Sequence, residues 1–104
     1  MQNTPVTTRT MNISIIEDEV ILATRIGKKL RQEGFVVEEY YSYESFMNTK
    51  EIESDLYIID ISLWNGSGLD IIKWLRETKK SFSPIIITSW FNDVESKVYG
   101  LNIW

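Results

Sequence analysis

Asp55-Leu56-Tyr57-Ile58-Ile59-Asp60, running on through Ile61-Ser62-Leu63-Trp64-Asn65-Gly66-Ser67-Gly68, decides how the rest of this chain folds. Leu56 to Ile59 is an unbroken apolar run, and a run without polar alternation reads as a strand covered on both faces. It ends on a carboxylate, Asp60, and the eight residues that follow contain two glycines and an asparagine, which is a loop signal. In an open parallel sheet, ligands collect beyond the carboxyl ends of the strands. Asp60 is therefore either a simple strand terminator or an acid placed where such folds do chemistry.

Length and composition narrow the classes. A chain of 104 residues makes one domain, large enough to bury roughly two thirds of its unfolded surface. It is 43% hydrophobic and 25% charged, ordinary values for a soluble globular domain. The net charge is −4 and the pI about 4.8, so no basic stripe neutralises phosphates, which argues against direct nucleic-acid binding. Cysteine and histidine are both absent. That excludes disulfides, thiolate and imidazole metal sites, and most nucleophilic machinery. Any metal must be a hard cation held by oxygen. No apolar run approaches a membrane span and the N-terminus lacks a signal-peptide core, so a cytoplasmic location is the default expectation, with no membrane partner.

Residues 1–10 are polar and aperiodic and read as a disordered leader, with the folded domain over 11–104 and Met11 a candidate natural start. Asn12-Ile13-Ser14-Ile15-Ile16 predicts a first strand, ending on Glu17-Asp18-Glu19. Glu19 suits the first turn of a helix, whose dipole favours acids. Glu17 and Asp18 sit at the strand terminus itself. Leu22, Ile26 and Leu30, flanked by Ala23 and Gly27, predict a helix from about Glu19 to Glu33, closed by Gly34. Phe35 to Tyr41 predicts a second strand, with Glu38 and Glu39 suited to a sheet edge. Ser42 and Ser45 cap a short helix that turns Phe46 and Met47 inward. After the third strand, a helix runs from Gly68 to about Lys79 and buries Leu69, Ile72 and Leu75. Pro84 opens a fourth strand, Ile85 to Ser89, and a last helix is expected from Asn92 to Leu101.

Strands alternating with helices over short loops imply a parallel sheet with helices on both faces. The expected fold is α/β, a flavodoxin-like doubly wound sheet of strand order 2-1-3-4. In that order the first and third strands are neighbours, and their ends carry Glu17, Asp18 and Asp60. Three converging carboxylates repel one another, and Mg²⁺, which takes a few carboxylates and keeps several waters, would relieve that repulsion.

Four stretches now carry a resemblance: Ile13-Ser14-Ile15-Ile16-Glu17-Asp18-Glu19, Tyr57-Ile58-Ile59-Asp60-Ile61-Ser62-Leu63, Gly68-Leu69-Asp70 and Pro84-Ile85-Ile86-Ile87-Thr88-Ser89. In this order and spacing they resemble the receiver domain of two-component response regulators, from about Met11 to the end. The resemblance implies that Asp60 accepts a phosphoryl group from a sensor histidine kinase. It implies that Asp18 and Asp60 bind Mg²⁺ directly, Glu17 through water, and the Ser62 backbone carbonyl completes the protein ligands. Ser89 would match the family hydroxyl that hydrogen-bonds the phosphoryl group. A carboxylate nucleophile and a cation suffice for such a transfer, and the phosphohistidine belongs to the partner.

Departures from the family pattern set the alternatives. Trp64 stands where proline is usual, Ser67 where an acid is common, and Trp90 where a small residue is the norm. No residue matches the family's fifth-strand lysine, and the chain is expected to lack the fifth strand and fifth helix. On that expectation the fourth strand is an exposed apolar edge, which favours a homodimer or an element-swapped dimer. The alternative function is an interaction module of receiver fold that no longer carries phosphate. Enzymes of similar topology fit less well: a haloacid-dehalogenase-type phosphatase would want an aspartate where Ser62 stands. A flavodoxin would want a phosphate-cradling loop where Glu17-Asp18-Glu19 stands. The expectation is a signalling module, not an enzyme.

Overall fold

The computed structural model describes residues 10–49, 53–63 and 68–88. Within them, strands β1 (Asn12–Ile16), β2 (Val36–Tyr40), β3 (Leu56–Asp60) and β4 (Ile85–Thr88) alternate with helices α1 (Val20–Gln32), α2 (Tyr43–Met47) and α3 (Gly68–Lys73). The strands form one parallel sheet in the order β2-β1-β3-β4, as the alternation implied. No fifth strand lies among the described residues. Residues 1–9 of the expected leader over 1–10 and the expected last helix fall outside them, as do Ser89, Trp90, Trp64 and Ser67.

The apolar strands are buried because helices cover both faces. On one face Ile16, Tyr57, Ile59 and Ile85 pack with Phe46 of α2 and with Ile71, Ile72 and Leu75 beyond β3. Phe46 meets the rings of Tyr40, Tyr57 and Trp74 edge-on, at centroid distances of 5.4, 6.0 and 6.2 Å. That geometry suits the aromatic quadrupole. On the other face Ile13, Ile15, Val37 and Ile58 pack against Ala23 of α1, with Ile26 and Leu30 alongside.

Three local expectations are corrected. First, the buried centre of α1 is Ala23 and Gly27, while Leu22, Ile26 and Leu30 are half-buried. Small residues let the helix backbone approach the sheet, and the larger ones straddle the contact. Second, Glu19 occupies the N-cap position of α1, and its side chain caps nothing. Its backbone N–H instead donates to Glu17 Oε2 at 3.2 Å. Third, the helix from Gly68 is not regular to Lys79. It widens into a π-helical segment, Trp74–Thr78, marked by the bond from Lys79 N–H to the Trp74 carbonyl at 2.9 Å. Its apolar set (Leu69, Ile71, Ile72, Trp74 and Leu75) would span about 220° of an ideal helix, more than one face can bury. Leu69 is accordingly half-buried, and Ile71, not anticipated, is fully buried.

Two caps follow the sequence reading. Ser42 Oγ accepts the Ser45 backbone N–H at 3.0 Å at the start of α2. Gly34 takes φ of 99°, the left-handed conformation that closes a helix.

Candidate functional site

β1 and β3 pair in register from Ile13↔Leu56 to Ile16↔Ile59. Continuing by one residue sets Glu17 beside Asp60, at the carboxyl edge of the sheet. Glu17 is 2% exposed and Asp60 1%, so both acids are buried where the sheet ends. With Asp18 they form a cluster in which one carboxylate oxygen from each lies within 4.8 Å of the others. The three acids singled out from sequence are thus brought together. No other grouping of this kind was found among the described residues.

Asp60 is held on one side only. Its Oδ1 accepts the Ser62 backbone N–H at 2.9 Å and the Ser62 hydroxyl at 2.7 Å, a local turn in which an aspartate bonds the backbone two residues on. Its Oδ2 is buried and receives no hydrogen bond from any fixed donor. The Glu17 carboxyl is the group that lies against Asp60. Burial first, then a hydrogen bond with Asp60 and the negative charges of Asp60 and Asp18, push the Glu17 pKa from its ordinary value near 4.5 up to about 8. The bond from the Glu19 N–H pulls the other way. Without a cation, Glu17 therefore carries a proton at neutral pH, and that proton tempers the repulsion within the cluster.

The loop that shapes this edge depends on one glycine. Gly68, at the first turn of α3, lies so close to β3 that a Cβ there would collide with the Asp60 carbonyl oxygen and the Ile61 Cα. Its lack of a side chain is a condition of the site's shape, because both obstacles are backbone.

The donor set fits a hard divalent cation. It is made of carboxylate oxygens gathered within a few ångströms, one of them buried without a hydrogen-bond donor, which is the chemistry Mg²⁺ selects. Ser89 lies outside the described residues. Two features of the site were not read from sequence: the Ser62 side chain reaches the carboxylate as well as its backbone, and Thr88 of β4 stands directly across from Asp60.

An open parallel α/β sheet of order 2-1-3-4, with buried acids at the carboxyl ends of its two central strands, defines a flavodoxin-like domain with an acidic cluster at its edge. The profile of the response regulator receiver domain matches residues 13–103, and the chain belongs to that family. It is 36% identical over 92 residues to the two-component response regulator PhoP of Pseudomonas aeruginosa, covering 88% of this chain and 40% of that one. It is 33% identical over 89 residues to the cell cycle transcriptional regulator CtrA of Caulobacter vibrioides, covering 85% and 38%. The chain thus spans about 40% of the length of the curated relatives it matches. Among solved structures, it resembles response regulator DrrB of Thermotoga maritima, an OmpR/PhoB homologue, at 25% identity and a TM-score of 0.76, covering 89% and 42%. The BeF3-activated DrrB receiver domain, at 24% identity, shows the same fold with a TM-score of 0.77, covering 89% and 77%.

Proposed function

We propose that this receiver domain accepts a phosphoryl group on Asp60 from a sensor histidine kinase, in a reaction that depends on Mg²⁺, and acts as a signalling switch. One observation supports this above the others. Asp60 is a buried carboxylate fixed through Oδ1 by Ser62, with Oδ2 met by no fixed donor, beside two further acids. A carboxylate that served only to end its strand would be expected to satisfy both oxygens.

In this reading Oδ2 is the nucleophile. Its lone pair attacks the phosphorus of the donor, and the phosphorus–nitrogen bond of the kinase phosphohistidine breaks. The electron pair leaves with the imidazole, which picks up a proton. Asp18 and Asp60 would hold the cation directly, Glu17 through water and Ser62 through its backbone carbonyl. When bound, the cation offsets the negative charge gathered around the transferring group. Ser89 would add a hydroxyl to the phosphoryl oxygens. The domain would take up and hold the group; it has no substrate to turn over.

A self-association proposal goes with the sheet edge. β4 ends the sheet among the described residues, and Ile86 on it is 48% exposed. An apolar strand edge is a template for pairing, so the chain is expected to form a homodimer or an element-swapped dimer. A single monomeric mass at every concentration in sedimentation would contradict that. No helix among the described residues is long and apolar enough to cross a membrane. We place the domain in the cytoplasm, without a direct nucleic-acid role of its own.

The test of the main reading is intact mass after incubation with acetyl phosphate and Mg²⁺. One added phosphoryl unit, absent in Asp60→Asn and absent without Mg²⁺, is expected. A folded protein that gains no mass would contradict the reading and favour an interaction module of the same fold.

A further inference from the structure

Phe82 is 86% exposed, more than any other large apolar side chain among the described residues. A lone exposed apolar residue is ordinary on a protein surface, but the residues on either side of this one are fixed. Ser81 is buried and donates its hydroxyl to Glu53 Oε2 at 2.7 Å, and Ser83 donates its own to the Ser54 carbonyl at 2.7 Å. Arg76 holds the carbonyls of Ser81 and Ser83 at 3.0 and 2.8 Å. The ring is therefore carried on backbone that is already ordered. Burying it against another molecule costs little further ordering, which is what makes an anchor efficient.

A cavity of about 360 Å³ lies close by at the same amino edge of the sheet. Ile13, Val36 and Tyr40 give it apolar surface, and Glu38, Thr49 and Ser54 give it polar rim. Ser54 joins the two features, since it lines the cavity and its carbonyl holds the Ser83 hydroxyl beside Phe82. A cavity of about 150 Å³ already accepts benzene, so this one has room for a phenyl ring. The charges match as well. Glu39 is held by Arg31 at 2.7 Å, but Glu38 is exposed and has no ion-pair partner among the described residues. Lys80, two residues before Phe82, is exposed too.

We propose that a second copy of this chain docks at this edge, with Phe82 of each copy entering the cavity of the other and Lys80 set against the partner's Glu38. A projection and a hollow side by side are both satisfied by a two-fold axis between them, which closes the assembly as a dimer. The buried ring anchors the contact, and the charge pair at the rim fixes its register. This rests on the self-association proposed above and names a surface for it, separate from the β4 strand edge.

The test is sedimentation of the full chain over a range of concentrations, with melting temperature in dilute solution as the check on folding. Wild type is expected to dimerise reversibly. Phe82→Ser should melt like wild type and dimerise at least a hundredfold more weakly, since each dimer loses two rings worth about tenfold apiece. Lys80→Glu and Glu38→Lys should each weaken the dimer about fivefold, and the double variant, which restores opposite charges, should recover it. If Phe82→Ser fails to fold, the two charge variants and their double decide alone. Ile86→Lys, which places a charge on the β4 edge strand, should leave this dimer intact. A dimer that ignores Phe82→Ser overturns this inference alone; if it dissociates in Ile86→Lys, the strand-edge reading stands in its place. A double charge variant no tighter than the single ones also overturns the inference. A wild type that stays monomeric at every concentration ends the self-association reading and this inference together.

Discussion

The two ends of the same sheet carry polar clusters of similar size and opposite character. At the amino ends of β3 and β4, no buried side-chain polar atom among the described residues lacks a partner. Ser81 donates its hydroxyl to Glu53 Oε2 at 2.7 Å, and Ser83 donates its own to the Ser54 carbonyl at 2.7 Å. Arg76 donates to the carbonyls of Ser81 and Ser83 at 3.0 and 2.8 Å. The Ser54 N–H meets the Tyr57 hydroxyl at 2.9 Å, and the Ser54 hydroxyl is bonded to that of Ser14. At the carboxyl ends, by contrast, three acids crowd together, one is driven to hold a proton, and two buried oxygens are met by no fixed donor. Satisfied polar groups tie loops to a scaffold; unsatisfied ones are kept where something else is to bind. The same strands thus present a clamp at one end and, on the proposed reading, a receptor at the other.

The largest expected effect that bears on this contrast comes from Gly68→Ala. With the Asp60–Ile61 backbone in the way of the new Cβ, either α3 or the Asp60 loop must move. The expected loss is about 3 kcal/mol or more in urea unfolding, since overpacking against backbone cannot be relieved by a rotamer change. Any folded fraction should respond poorly to Mg²⁺. A variant with wild-type stability and an intact Mg²⁺ response would show that the receptor end is looser than described.

Next comes pH. The Glu17 carboxyl has a pKa near 4.5 in the unfolded chain and about 8 in the folded one, so between those values the folded protein binds more protons than the unfolded. Its stability therefore falls as pH rises from about 5 to about 8. The fall is expected to be on the order of a few kcal/mol. Saturating Mg²⁺ should flatten the curve, because the cation replaces the proton. Glu17→Gln should flatten it too, while weakening the Mg²⁺ response. Chemical unfolding across that range checks the sign; stability that climbs with pH would contradict the assignment.

The smallest effect belongs to the clamp. Ser81→Ala removes one bond to Glu53, which Ser83 Oγ still reaches at 3.2 Å. A loss of about 1 kcal/mol is expected, with the rate of phosphoryl uptake unchanged. A variant that kept its stability but lost uptake would break the division between the two ends.

Much of the receptor was legible in the sequence. The apolar run Leu56–Ile59 read as a doubly covered strand, the alternation of elements implied a parallel sheet, and two strand ends carrying acids had to meet once the order was 2-1-3-4. The family resemblance then gave those acids roles. What stayed hidden depends on register and reach. Thr88 reads as one more strand residue until the pairing of β3 with β4 is known, since a slip of one residue would turn it to the other face. The Ser62 hydroxyl looked like a loop residue valued for its backbone alone. In α1 the periodicity marked the bulky residues, and which residues lie deepest was decided by how closely the helix could approach, which favoured Ala23 and Gly27. The clamp was invisible because serines in loops carry no pattern. The π-helical turn has a visible cause in hindsight, an apolar set too wide for one helical face.

The most direct test of the account is a Mg²⁺ series of thermal melts at pH 7 for wild type, Asp60→Asn and Ser81→Ala. Binding to the folded state alone raises stability by about 1.4 kcal/mol at ten times the dissociation constant, a shift of several degrees in a domain of this size. The account predicts that rise in wild type and in Ser81→Ala, and little or none in Asp60→Asn. Melting temperatures that ignore Mg²⁺ in wild type, or that rise equally in Asp60→Asn, would contradict the claim that the acids at the carboxyl edge form a cation-dependent phosphoryl site.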